Sequence, residues 1–238
     1  MRGLLAGLVA GLLAGGVAYV LGEPHIDAAI AIEEAAGGHS HEGAEAEAEE
    51  EPLVSRDGQR AGLILATTVG GIALGAIFGA VVHVARRYSA ASATTLVVTL
   101  ALGGWAAIQA VPFFKYPANP PAVGDPETID KRTWLWVASV LLGLAAVGTS
   151  VYLARIVRTQ QTSVRIAAPA AGFVAVVALG YVLLPDVDEV PSDFPATLLW
   201  EFRLSSLATQ ATLWIALGLA FAFLSERAAN KSEVAHAA

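Results

Sequence analysis

The sequence contains no cysteine. Disulfides, thiolate metal centres, iron–sulfur ligation and cysteine nucleophiles are therefore excluded. Charge is scarce too: Asp, Glu, Lys and Arg make up 15% of the chain, against about 25% in a soluble domain. Positive charge is the scarcer sign, with 14 Lys plus Arg facing 21 Asp plus Glu, a net −7. No nucleic-acid partner is expected, because phosphate neutralisation needs basic clusters. There is no Walker loop, no HExxH, no paired carboxylate within an apolar run and no serine–histidine arrangement. No enzyme is expected, and ATP-driven work would need another chain. What remains is apolar: 55% of 238 residues, with a mean hydropathy of +0.60.

That apolar content is concentrated in six uncharged runs, 3–21, 61–85, 93–111, 134–154, 166–184 and 204–224. A bilayer-spanning helix needs about 20 such residues, and six cannot share one soluble core. The expected fold is all-α: a polytopic membrane protein, one integral membrane domain over 1–238, with six transmembrane helices in three outward-opening hairpins. The first run follows Arg2 as a signal peptide would, but it outlasts the usual 7–15 residues, so an uncleaved helix is expected. The tight loops 86–92 and 155–165 carry bases and no acids, which sets both termini inside, in a cytoplasmic membrane. Loops 22–60, 112–133 and 185–203 then lie outside. With that sidedness every acid except Glu226 and Glu233 faces out, and an acidic face concentrates cations.

The first outer loop is the most acidic stretch. Residues 22–59 hold eleven acids and one base. Within it His39, His41 and Glu42 open a run of glutamates. Imidazole with carboxylate suits borderline divalent ions such as cobalt, nickel or zinc; the competing reading is an acidic solubilising loop. Glu23, His25 and Asp27 form a second candidate cation site where the first run ends. Glu23 and Asp27 share a helical face, and the alternative is a surface helix solvated at the interface. Glu201 heads a third feature. With Ser205, Thr209 and Thr212 it forms one helical stripe, either a polar path or hydroxyls bonded to backbone carbonyls. Gln210 is harder to dismiss, since an amide has more groups to satisfy. His83 lies beside Arg86 and Arg87, whose charge disfavours a bound cation; it reads as structural or interfacial.

Glycines recur every fourth residue at Gly3, Gly7, Gly11 and Gly15, and again at Gly71, Gly75 and Gly79. Small residues at this spacing let helix backbones approach closely. The two seams are expected to face each other or a partner subunit, so oligomerisation through the glycine-rich helices stays open.

Four loop segments, EPHIDAAIAIEEA (23–35), VSRDGQRAGL (54–63), KYPANPPAVGDPETID (115–130) and FPATLLWEFRLSS (194–206), resemble the CbtA family of cobalt transporter subunits. The resemblance implies a prokaryotic inner-membrane protein tied to cobalt supply for cobalamin synthesis, with a small partner subunit, CbtB. Many members carry a His-rich first outer loop, here reduced to His39 and His41. The expected function is a permease subunit for uptake of a divalent transition metal, cobalt foremost, with Co²⁺ (or Ni²⁺ or Zn²⁺) as cargo and no tightly bound cofactor. The alternative is a non-transporting accessory or scaffold subunit. The absence of charge within the spans favours that alternative, because ion pathways usually show some.

Overall fold

The computed structural model describes residues 1–38 and 54–237. It is 84% helical, with no strand among the described residues. The helices are α1 (Arg2–Val17), α2 (Glu23–Gly38), α3 (Arg56–Ala85), α4 (Ala93–Trp105), α5 (Val111–Lys115), α6 (Ile129–Ile156), α7 (Thr162–Leu183) and α8 (Ala196–Ala237). Six helical stretches are long and apolar enough to cross a membrane: 2–35, 56–85, 93–115, 129–159, 162–183 and 196–230. They are the six expected runs, most of them lengthened at the ends. The chain is a multi-pass membrane protein.

Two of these stretches continue through a π-turn. Ala18–Gly22 joins α1 to α2, and Ala106–Ala110 joins α4 to α5. Each π-turn is followed within two residues by a proline, Pro24 and Pro112. A proline ring clashes with the carbonyl four residues back. Those carbonyls belong to Val20 and Ile108, inside the two π-turns. The wider turn opens the helix where the ring needs room. Residues 23–38 thus continue the first span, where the sequence alone suggested a separate surface helix.

The chain divides into two compact units, 1–101 with 119–123 and 193–238, and 102–118 with 124–192. In the first, α1 and α3 run antiparallel with their glycine seams together. A Cβ built on Gly3 or Gly7 would come closer than 3.0 Å to the carbonyl oxygens of Gly75 and Gly71. Helix α8 lies antiparallel along α1, from Ser205 near Gly22 to Phe221 near Gly79. Phe221 also meets Phe78 edge to face, with centroids 5.5 Å apart. The buried positions of α1 are Gly3, Ala6, Gly7, Ala10, Gly11, Ala14 and Gly15, while Leu5, Val9 and Leu13 face out. Small residues inside and large apolar ones outside is the arrangement a lipid solvent rewards, since packing rather than water exclusion must drive association.

In the second unit α6 runs antiparallel to α7, with Leu142 over Gly180 and Leu153 over Gly172. The Ala106–Ala110 turn packs its Ala107 carbonyl on Gly143. The Tyr181 hydroxyl donates to the Val111 carbonyl (2.5 Å) and the Tyr116 hydroxyl to the Pro185 carbonyl (2.7 Å). Gly124 has φ +118°, a backbone conformation that strains any side chain, so glycine is favoured there; a side chain would also have to push the Arg132 guanidinium aside.

Candidate functional site

The first π-turn delivers Glu23 and, one helical turn later, Asp27 to one face of α2. The Ser55 hydroxyl caps α3 by accepting the Gly58 N–H (3.2 Å), and the first turns of α3 place Arg56 and Arg60 at the same four-residue spacing. The four side chains interlock. Arg56 Nη2 donates to Glu23 Oε2 (2.6 Å) and its Nε to Asp27 Oδ1 (2.9 Å). Arg60 Nε reaches the same Glu23 oxygen (3.2 Å) and its Nη2 reaches Asp27 Oδ2 (2.7 Å). Glu23 is only 5% exposed. A carboxylate taken so far from water needs partners, and two guanidiniums supply them.

His25 lies between these residues in sequence but turns to a different partner. Its Nδ1 is 2.7 Å from the Leu21 carbonyl oxygen. A carbonyl only accepts, so Nδ1 carries a proton. Nε2 lies 3.4 Å from Glu201 Oε2 on α8. The ring is thus oriented through Nδ1, as a metal-ligating histidine commonly is, with its second nitrogen beside a carboxylate. The Glu201 side chain is 54% exposed, so a cation could reach it.

Of the seven expected metal ligands, Glu23 and Asp27 stand together but are held by arginines, and His25 and Glu201 stand together. His39, His41 and Glu42 lie outside the described residues. Among the described residues no group of three or more His, Asp or Glu is arranged to hold a metal ion. The sequence reading missed Arg56 and Arg60 as members of the cluster. The signal was their four-residue spacing, which matches that of Glu23 and Asp27.

The polar stripe of α8 is satisfied by its own helix. The hydroxyls of Ser205, Thr209 and Thr212 donate to the carbonyls of Phe202, Ser205 and Ala208 at 2.8, 2.9 and 2.9 Å. Arg203 donates to Asn119 Oδ1 (2.9 Å). Gln210 Oε1 and Trp214 Nε1, one turn apart, are buried with no partner among the described residues.

A family model described as "Probable cobalt transporter subunit (CbtA)" matches residues 1–226. The chain belongs to the CbtA family. The match takes in five spans whole, the sixth but for its last four residues, and the whole Glu23–Asp27–Arg56–Arg60 and His25–Glu201 arrangement. Comparison with curated proteins and with solved structures gives no match. Membership of CbtA supports a role in cobalt transport in general, and "subunit" implies a partner complex.

Proposed function

We propose that this CbtA chain is the permease subunit itself, admitting a divalent transition-metal cation, cobalt foremost, for cobalamin synthesis. The carrying observation is the His25–Glu201 pair. An imidazole oriented through Nδ1 and an exposed carboxylate 3.4 Å from its Nε2 offer one nitrogen and one oxygen donor, a set that suits cobalt, nickel or zinc. A cation seated there lies two residues along α2 from both Glu23 and Asp27, on a different face of the helix. Those carboxylates become ligands only if Arg56 and Arg60 let go, so the four-residue cluster acts as a gate that incoming positive charge must open. The His39, His41 and Glu42 segment gathers metal ahead of it. The two units act as one membrane domain over 1–238, in three outward-opening hairpins with both termini cytoplasmic, in an inner membrane beside a CbtB-like subunit. Inward movement is then favoured by the membrane potential, about 2.3 kcal/mol per charge per 100 mV.

The second reading, a scaffold that does not transport, draws support from the arginines: they already neutralise Asp27 and Glu23, and Glu23 is the one buried acid among the described residues. Cobalt uptake into proteoliposomes holding the purified chain alone separates the two. The permease reading expects uptake that falls at least tenfold in His25→Ala and in maximal rate in Glu201→Gln, while deletion of 37–51 raises only the half-saturating cobalt concentration. No uptake by the wild-type chain, with uptake restored by a partner in both the wild type and the two variants, establishes the scaffold. Labelling of a cysteine at Ser192 by an impermeant reagent in intact cells tests the sidedness.

A further inference from the structure

At the end of the first unit where α1 begins and α3 finishes lies a cavity of about 820 Å³. Among the described residues its charged lining is Arg2 and Arg86, with the His83 ring and the Ser225 hydroxyl as further polar groups. Arg87 adds a further guanidinium, its Nη2 3.4 Å from His83 Nε2. Among the described residues no acid lines the cavity. The nearest in sequence, Glu226, has its carboxylate engaged by the Thr94 hydroxyl. Neither Arg2 nor Arg86 has a side-chain partner among the described residues, in contrast to Arg56 and Arg60 at the other end of α3. The deep lining is apolar and buried: Val82, Val97 and Phe221.

Such a cavity repels a cation, so it is no station for cargo. Guanidiniums match phosphate oxygens in charge and geometry. The cavity opens where spanning helices end, at the level of lipid headgroups, and basic recesses between spanning helices favour anionic lipids. A free inorganic anion would leave the apolar floor unused. The volume lies within the range that encloses a small organic group.

We propose that this cavity binds an anionic phospholipid, its phosphate on Arg2 and Arg86 and the first methylenes of its chains on Val97 and Phe221. The lipid joins the ends of α1, α3 and α8 at the face opposite the Glu23–Arg56 cluster. This assignment does not depend on the transport reading or on which side of the membrane the cavity faces.

The test uses the full chain in nanodiscs of phosphatidylcholine containing a minor fraction of phosphatidylglycerol. After detergent exchange, retained lipid is read by native mass spectrometry. The wild type should retain phosphatidylglycerol in preference to phosphatidylcholine. Arg2→Gln/Arg86→Gln should weaken that retention about tenfold for each arginine lost, as expected for a charge-assisted contact. Because Arg2 also influences insertion, Ala80→Phe provides a second variant. It keeps every charge and fills the cavity from an exposed position lining it, and it too should lose the lipid. Arg158→Gln/Arg165→Gln, two arginines that are not among the lining residues, should retain it. Equal retention by wild type and both cavity variants overturns the site, as does equal loss in the Arg158/Arg165 control, which would mean general surface attraction. Displacement of phosphatidylglycerol by an equal concentration of inorganic phosphate overturns the lipid as occupant.

Discussion

In the first unit α1 and α3 meet backbone to backbone, with Gly3, Gly7 and Gly11 against Gly75, Gly71 and Thr67. The second unit has one comparable contact, Gly143 on the Ala107 carbonyl, and its other notches, Gly172 and Gly180, are filled by leucine side chains. The polar contacts differ in the same sense. The first unit knits Glu23, Asp27, Arg56 and Arg60 into one network around a buried carboxylate. In the second, Lys115 pairs with an Asp186 that is 92% exposed. Arg132 Nε stands 3.5 Å from Glu189, at ion-pair distance without a hydrogen bond. Rigid backbone contacts and shared ions concentrate the first unit's stability in few positions. Flexible side chains and separate, unshared ion pairs spread the second unit's over many.

The largest consequence is steric. Gly75→Leu should cost on the order of 3 kcal/mol or more, because overpacking here meets backbone that cannot rotate away. Loss of the monodisperse folded protein on size exclusion is the expected result. Ala76→Leu, at an exposed neighbour, should be tolerated. Gly172→Ala in the second unit should stay within about 1 kcal/mol of the wild type, since only the end of Leu153 must shift and alanine is the better helix former. Similar melting temperatures for Gly75→Leu and Gly172→Ala would erase the contrast between the units.

A smaller effect separates the ion clusters. Glu23→Ala leaves Arg56 and Arg60 facing a part-buried gap and should cost roughly 2 kcal/mol, less than a fully buried pair because both arginines are partly exposed. Replacing Glu23 with Leu and Arg56 with Met together should recover part of that loss, since the orphaned charge goes too. Lys115→Met should cost less, about 1 kcal/mol, because the Asp186 it leaves behind is 92% exposed and stays solvated, although Lys115 itself is only 10% exposed. Urea unfolding in detergent measures all three. A Lys115→Met loss as large as that of Glu23→Ala would show that exposure does not govern these pairs.

This comparison also shows what the sequence makes legible. Six apolar runs are unmistakable because lipid demands length and uniform apolarity, and the glycine periods announce close packing. The partner of each seam is less legible: within the described residues the α1 and α3 glycines meet each other, leaving that seam no face for a second copy. Helix ends are hidden because hydrogen bonds carry a helix past its apolar stretch, through Glu23–Gly38 and Ile129–Arg132. The π-turns were signalled by Pro24 and Pro112, but a proline within a helix also permits a plain kink. Most hidden was the company of Glu23 and Asp27. Arg56 lies 33 residues from Glu23 in sequence, and a lone basic residue in a loop reads first as a topology signal. A metal reading of the acids followed naturally, and only the fold reveals which positive charges already sit on them.

The smallest expected effect concerns pH and is confined to the second unit's loop. The polar Thr128 side chain, the hydrogen bond from the Asp125 amide and the nearby Arg132 and Lys131 together hold the Glu189 carboxyl below the ordinary glutamate range, against an opposing effect of burial that is smaller than that of Thr128. A lowered folded-state pKa means the unfolded segment binds the proton more readily. The contribution of Glu189 is therefore fully present above its unfolded pKa of about 4.3. It fades as pH falls through the lower folded value. Amide hydrogen exchange across 185–192, corrected for intrinsic chemistry, should accelerate as pH drops below that range. Exchange across Ala6–Ala14 of the glycine seam, where no side chain titrates, should not. Glu189→Gln should exchange faster at neutral pH and lose the pH dependence. If the wild-type loop exchanges at the same corrected rate on both sides of the transition, Tyr116, Lys115 and Gly124 hold the loop without Glu189. The second unit's stability would then be spread more thinly still.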